Sequence, residues 1–156
     1  MNNNETSNEL VLELTLDAPR EKLWRCWTEP ALLQKWFAPQ PWSITRVDID
    51  FRAGGSSLIV MSDPDGNEYP NPGVVLEVVP NEKIVFTDAY TSAWVPSGKP
   101  FMTAIVTFED AGNGKTKYVA RALHWTAEDR EEHEKMGFHE GWGQCARQLE
   151  ALAQGI

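Results

Sequence analysis

A chain of 156 residues is the size of one domain and buries roughly 70% of the surface its unfolded form exposes, so one hydrophobic core suffices. Its composition, 42% hydrophobic with seven tryptophans, excludes a disordered chain, and its 23 acidic against 14 basic side chains repel nucleic acid and anionic membrane surfaces. No apolar run approaches the about 20 residues that cross a bilayer, and the first residues lack the order of a signal peptide, so no membrane contact and a cytoplasmic location are expected.

Residues 1–8 are polar enough to stay flexible, and residues 9–156 read as a single domain. Glu9 to Leu16 alternates, with Leu10, Leu12, Leu14 and Leu16 on one face, which predicts a half-buried strand. Asp17-Ala18-Pro19 offers a capping acid and a helix-starting proline, followed by Leu23, Trp24 and Trp27 at helical spacing to about Thr28. Pro30 opens a second short helical pattern through Leu32, Leu33, Trp36 and Phe37, and Pro39 and Pro41 stop it.

From Trp42 the period changes to two. Six strands are predicted over Ser43–Phe51, Ser56–Ser62, Val74–Val79, Lys83–Ala89, Phe101–Glu109 and Lys115–Trp125. Ala53-Gly54-Gly55, Asp63 to Asn67, Pro80-Asn81-Glu82 and Asp110 to Gly114 carry the turn chemistry of antiparallel hairpins. The longer loop from Tyr90 to Pro100 carries Trp94 and reads as a lid. Thr126 caps a final helix that Gly137 breaks or bends, and Phe138, Trp142, Cys145, Leu149 and Leu152 then mark one apolar face.

These elements predict an α+β fold, a curved seven-stranded antiparallel sheet around a long carboxy-terminal helix, with two short helices after the first strand. Gly54-Gly55 is a natural bend, and what the helix leaves unfilled on the concave face becomes a pocket. Clean alternation turns Ser57, Ile59 and Met61 inward, with Met102, Ala104, Val106 and Phe108, and Tyr118, Ala120 and Ala122, while Lys117 and Arg121 face water.

Motifs for chemistry are few. Gly114-Lys115-Thr116 lacks the earlier glycine of a phosphate loop, and Asp63, Asp65 and Asn67 lack the glycine and glutamate that a calcium loop needs later. His124, His133 and His139 do not have metal-ligand spacing, no nucleophile motif is visible, and Cys26 and Cys145 read as buried thiols, so neither metal nor cofactor is expected.

Arg52-Ala53-Gly54-Gly55, the turn at Asp65-Gly66, the run from Gly73 through Pro80-Asn81-Glu82 to Thr87, and Gly141-Trp142 with Leu149 together resemble the domain named for the activator of Hsp90 ATPase, over about Glu9 to Ala153. That family lies in the START-like, or Bet v 1-like, superfamily. The resemblance implies the helix-grip fold, in the element order read above, and relatives that include hydrophobic-ligand carriers, polyketide cyclases, stress-associated proteins and chaperone activators.

The leading expectation is noncatalytic binding or sequestration of a small apolar or aromatic molecule by a cavity that Trp36, Phe37, Met61, Trp94, Met102, Ala104, Ala120, Phe138 and Trp142 line, with Glu68, Tyr69 and His139 as a polar rim. A cavity enzyme of cyclase or hydrolase type needs a buried acid or base, and a chaperone-interaction module needs an exposed patch. The expected state is a monomer, or a homodimer through exposed strands.

Overall fold

The computed structural model describes residues 8–156, so the expected flexible segment lies outside it except for Asn8. Strand β1 (Glu9–Leu16) is followed by helices α1 (Arg20–Thr28) and α2 (Pro30–Leu33), then by β2 (Ser43–Ile49), β3 (Ser56–Ser62), β4 (Glu68–Val79) and β5 (Lys83–Thr87). A small hairpin, β6 (Tyr90–Ser92) with β7 (Val95–Pro96), precedes β8 (Met102–Gly112), β9 (Lys115–His124), α3 (Ala127–Lys135) and α4 (Phe138–Gln154).

The seven long strands form one antiparallel sheet in the order β1-β9-β8-β5-β4-β3-β2. β1 closes one edge by pairing with β9, Leu12 opposite Ala120 and Leu14 opposite Tyr118. Alternation does what the sequence asks of it: Leu10, Leu12 and Leu16 are buried, as are Tyr118, Ala120 and Ala122, while Arg121 and Lys117 stay on the wet face and pair with Glu9 and Glu13.

Two local readings are corrected. Asp17 caps nothing: Pro19 stands at the N-cap of α1 and its carbonyl accepts from Lys22 and Leu23. The Asp17 N–H instead donates to Glu150 Oε2 at 2.6 Å, and its carbonyl accepts from Gln154 Nε2 at 2.9 Å, which ties the end of β1 to α4. β4 begins at Glu68 and not at Val74. Pro70 and Pro72 hid this stretch, yet it pairs with β3 alone, β5 joining only from Val74, so both prolines sit where no second neighbour requires their N–H.

The Asp63–Asn67 connection is a self-contained turn. Asp63 accepts from the backbone of Asp65 and Asn67 and from the side chains of Asn67 and Tyr69, all within 3.0 Å, and these bonds, the Asn67 amide foremost, hold its carboxyl below the usual range. At the other end of the chain Thr126 Oγ1 accepts from the Asp129 N–H at 3.0 Å and starts α3. Gly137, at φ 93°, then ends that helix and opens α4, whose Phe138, Ala146, Leu149 and Ala153 are buried. Among the described residues no helix is long and apolar enough to cross a membrane.

Candidate functional site: an aromatic-ended cavity under the carboxy-terminal helix

Between the sheet and α4 lies a cavity of about 640 Å³. Alternation on β3 delivers Ser57, Ile59 and Met61 to its wall, β8 delivers Met102 and Val106, and β9 delivers Tyr118 and Ala120. One end is closed by aromatic rings: Trp27 lies 5.0 Å from Trp36, 5.5 Å from Phe37 and 5.9 Å from Phe86, centroid to centroid. A second aromatic group, Phe101, Phe138 and Trp142, surrounds His133 at 4.9, 5.1 and 5.8 Å. Trp42, Asn71, Pro72 and Met136 are both exposed and part of the wall, so the mouth lies among them; Met136 is 70% exposed.

The first aromatic end is pinned from α4. Gln148 Nε2 donates to the carbonyls of Trp36 and Ala38 at 2.9 Å each, and its Oε1 accepts from the Gln40 N–H and from Gln144 Nε2. Trp36 Nε1 donates to the Cys26 carbonyl at 2.9 Å. Gln148→Ala removes four bonds at once and strands the buried Ala38 carbonyl, an expected loss of about 2 kcal/mol in urea unfolding. Hydrogen exchange at residues 36–40 should accelerate with it; unchanged exchange there would show that the pin is not what holds this wall.

Few polar atoms face the space. Tyr118 is 3% exposed, and burial pushes its phenol well above the ordinary value, a rise that the nearby Trp27 indole N–H opposes. Trp27 Nε1 itself is sealed in without a hydrogen-bond partner among the described residues. Asp88 Oδ1 accepts from the backbone N–H groups of Phe101 and Met102 at 2.9 and 3.1 Å, which fixes the start of β8. Burial raises the Cys145 thiol in the wall to about 12 and that of Cys26, pulled down by Arg25 in opposition, to about 11, so both are thiols and weak nucleophiles.

His133 is 7% exposed and lies in the wall. Its Nδ1 is 2.8 Å from His124 Nε2, while His124 Nδ1 is 3.1 Å from the Asn8 carbonyl. Burial, reinforced by His124, lowers His133 to about 4. The described residues hold no cluster of three or more groups suited to a metal.

The cavity thus brings together Trp36, Phe37, Met61, Met102, Ala120, Phe138 and Trp142 from the residues the sequence singled out. Ala104 is fully buried between Phe86 and Ala122 on neighbouring strands but does not reach the space. Trp94 is not in the wall: it sits at the tip of the β6–β7 hairpin with φ 66° and 76% exposure, its ring against Tyr90, so the expected lid is a hairpin turned outward.

The expected polar rim also lies elsewhere. Glu68 accepts from Thr45 Oγ1 at 2.9 Å, and Tyr69 stacks behind Trp42 at 5.3 Å with its hydroxyl donating to Asp63. His139 is exposed, with its ring against the outside of Phe138. The histidine in the wall is His133, and its signal was the inward alternation of Tyr118, Ala120 and Ala122, which continues to His124 and so to whatever packs on it.

Gly141 borders the space, and a Cβ built there meets nothing within 4 Å. Gly141→Ala should therefore stabilise α4 by up to about 1 kcal/mol while its methyl projects into the cavity. Thermal unfolding reads the gain, and a loss of stability would mean that this face of α4 is tighter than the geometry allows.

A family model described as Activator of Hsp90 ATPase homolog 1-like protein matches residues 17–154. A protein of Nitrosomonas europaea, solved by X-ray crystallography, is 42% identical, with 96% of each chain covered and a TM-score of 0.91. A protein of Mycobacterium smegmatis is 26% identical over 95% of this chain and 91% of its own, with a TM-score of 0.78. An Aeromonas hydrophila protein described as AHSA1-like shares the fold, at 16% identity, coverage of 94% and 92%, and a TM-score of 0.69. Among curated proteins none matches. With the model covering nearly the whole chain on a helix-grip fold, this protein belongs to the family of Activator of Hsp90 ATPase homolog 1-like proteins.

Proposed function

We propose that this chain binds a small, uncharged, apolar or aromatic molecule in the cavity beneath α4. One observation carries the reading: a space of about 640 Å³, within the range typical of ligand pockets, has aromatic groups at two places and aliphatic walls from Ile59, Met61, Val106 and Ala120 between them. Planar rings give a bound molecule large contact area, and Trp36, Phe37, Met61, Met102, Phe138 and Trp142 are the expected contacts. A retained mass in native mass spectrometry, or saturable tryptophan quenching by a panel of aromatics and fatty acids, is the expected result. A protein that carries nothing and quenches with none of them would refute the reading.

Catalysis in the same cavity is the second reading, favoured by a buried base in the wall, His133. A base held at about 4 is well below the pKa that serves general-base catalysis near neutrality, which ranks binding ahead of turnover.

A further inference from the structure

The two buried histidines define a one-way chain of hydrogen bonds. The Asn8 carbonyl oxygen can only accept, so the His124 Nδ1 that faces it at 3.1 Å carries the proton. Neutral His124 then has its lone pair on Nε2, and the His133 Nδ1 found 2.8 Å away must donate to it. His133 is left with a bare lone pair on Nε2. That atom has no hydrogen-bond partner among the described residues, and it is not sealed either, since Trp27 Nε1 is the side-chain nitrogen buried without a partner. The ring that bears it is nine-tenths buried and stands in the cavity wall, surrounded by Phe101, Phe138 and Trp142.

We propose that His133 Nε2 is the cavity's hydrogen-bond acceptor and that the ligand class is a neutral aromatic alcohol, a phenol or naphthol, whose O–H donates to it. The inference rests on the ligand-binding reading above. A carboxylate would set lone pair against lone pair, and an ammonium would give up its water to lie among three aromatic rings, beside a carboxylate, Asp88, whose Oδ1 already accepts from the Phe101 and Met102 N–H groups. A phenolic hydroxyl supplies the missing proton at no charge, and its ring fits among the three aromatic side chains.

The test compares 2-naphthol with 2-methylnaphthalene, equal in shape and differing in O–H against CH3. Without an acceptor the methyl compound binds better, because the hydroxyl gives up its water for nothing. With His133 accepting, calorimetry should find 2-naphthol tighter by roughly tenfold, a net hydrogen bond. In His133→Phe the preference should invert while both compounds still bind. The wild-type protein gives an independent readout if that variant does not fold. In 15N spectra both histidines should be Nδ1–H tautomers, and 2-naphthol alone should move the His133 Nε2 resonance.

An Nε2–H tautomer at His133, or equal binding of the two compounds with that resonance unmoved, overturns the proposal. Failure of both compounds to bind overturns the cavity reading itself and this inference with it, an outcome distinct from equal binding.

Discussion

Gly55→Ala is expected to cost more than about 3 kcal/mol and to leave much of the protein unfolded. A Cβ at this position would lie 2.0 Å from the Asp50 carbonyl oxygen, 2.9 Å from its carbon and 3.0 Å from the Arg52 oxygen, all backbone atoms with no rotamer to escape into. Nor can the turn slide away. The Gly54 N–H donates to the Val75 carbonyl and the Val75 N–H to the Gly55 carbonyl, both at 2.8 Å, while the Gly55 N–H holds the Arg52 carbonyl. Relief of the overlap therefore breaks the join between the β2–β3 turn and β4. Gly54→Ala is the informative comparison: φ is 83° there but the space is open, so only the left-handed backbone penalty of about 1–2 kcal/mol applies. Urea unfolding of the two variants should rank 55 well above 54, and a Gly55→Ala protein within 1 kcal/mol of wild type, roughly the scale of a surface substitution, would refute the close-approach account.

Acidification is expected to remove about 3 kcal/mol of stability through His133 alone. Burial foremost, and then His124, lowers this group from 6.5 to about 4 in the folded chain. Above pH 6.5 neither state binds the proton, and the contribution is fully present. Between there and about pH 4 the unfolded chain takes up a proton that the folded chain refuses, so stability falls as pH falls. The rings packed on His133 are the uncharged Phe101, Phe138 and Trp142 and the titratable His124. Carboxylates also titrate toward the low end, so the measurement is a difference: the urea midpoint of wild type, followed from about pH 7.5 to about pH 4.5, should fall relative to that of His133→Phe as pH falls. Parallel curves would show that His133 takes up its proton alike in the folded and the unfolded chain.

Strands with one wet face were legible because a period of two leaves a mark that only one register satisfies. β1 and β9 are the clearest cases, and the wall residues they supply were found with them. The start of β4 was not legible, since Pro70 and Pro72 argue against a strand unless one knows that β5 stops short of them. Trp94 misled because aromatic content speaks for burial whereas a positive-φ hairpin tip decides direction. Trp27, marked in the sequence only by its helical spacing, serves both core and wall: it packs on Trp36 and borders the space. His133 escaped because α3 has almost no apolar face, so nothing in its own segment marks the side that turns inward; its partner on β9 does.

The pairing of the first strand with the last sets a clock on how this chain comes together. Glu9 meets Leu123, and Asp17 meets Glu150 and Gln154, so the edge that β1 fills does not exist until nearly the whole sheet is present. At about 5–20 residues added per second, a ribosome holds Leu10, Leu12 and Leu16 without their partners for roughly 5–20 s. Loop closure over such a span is slow in its own right, on the millisecond-to-second scale typical of non-local strand pairing. Through that interval the apolar side of β1 is open to any other strand within reach, and acidic side chains such as Glu9, Glu13 and Asp17 in and beside the strand set like charge against like where two emerging copies meet.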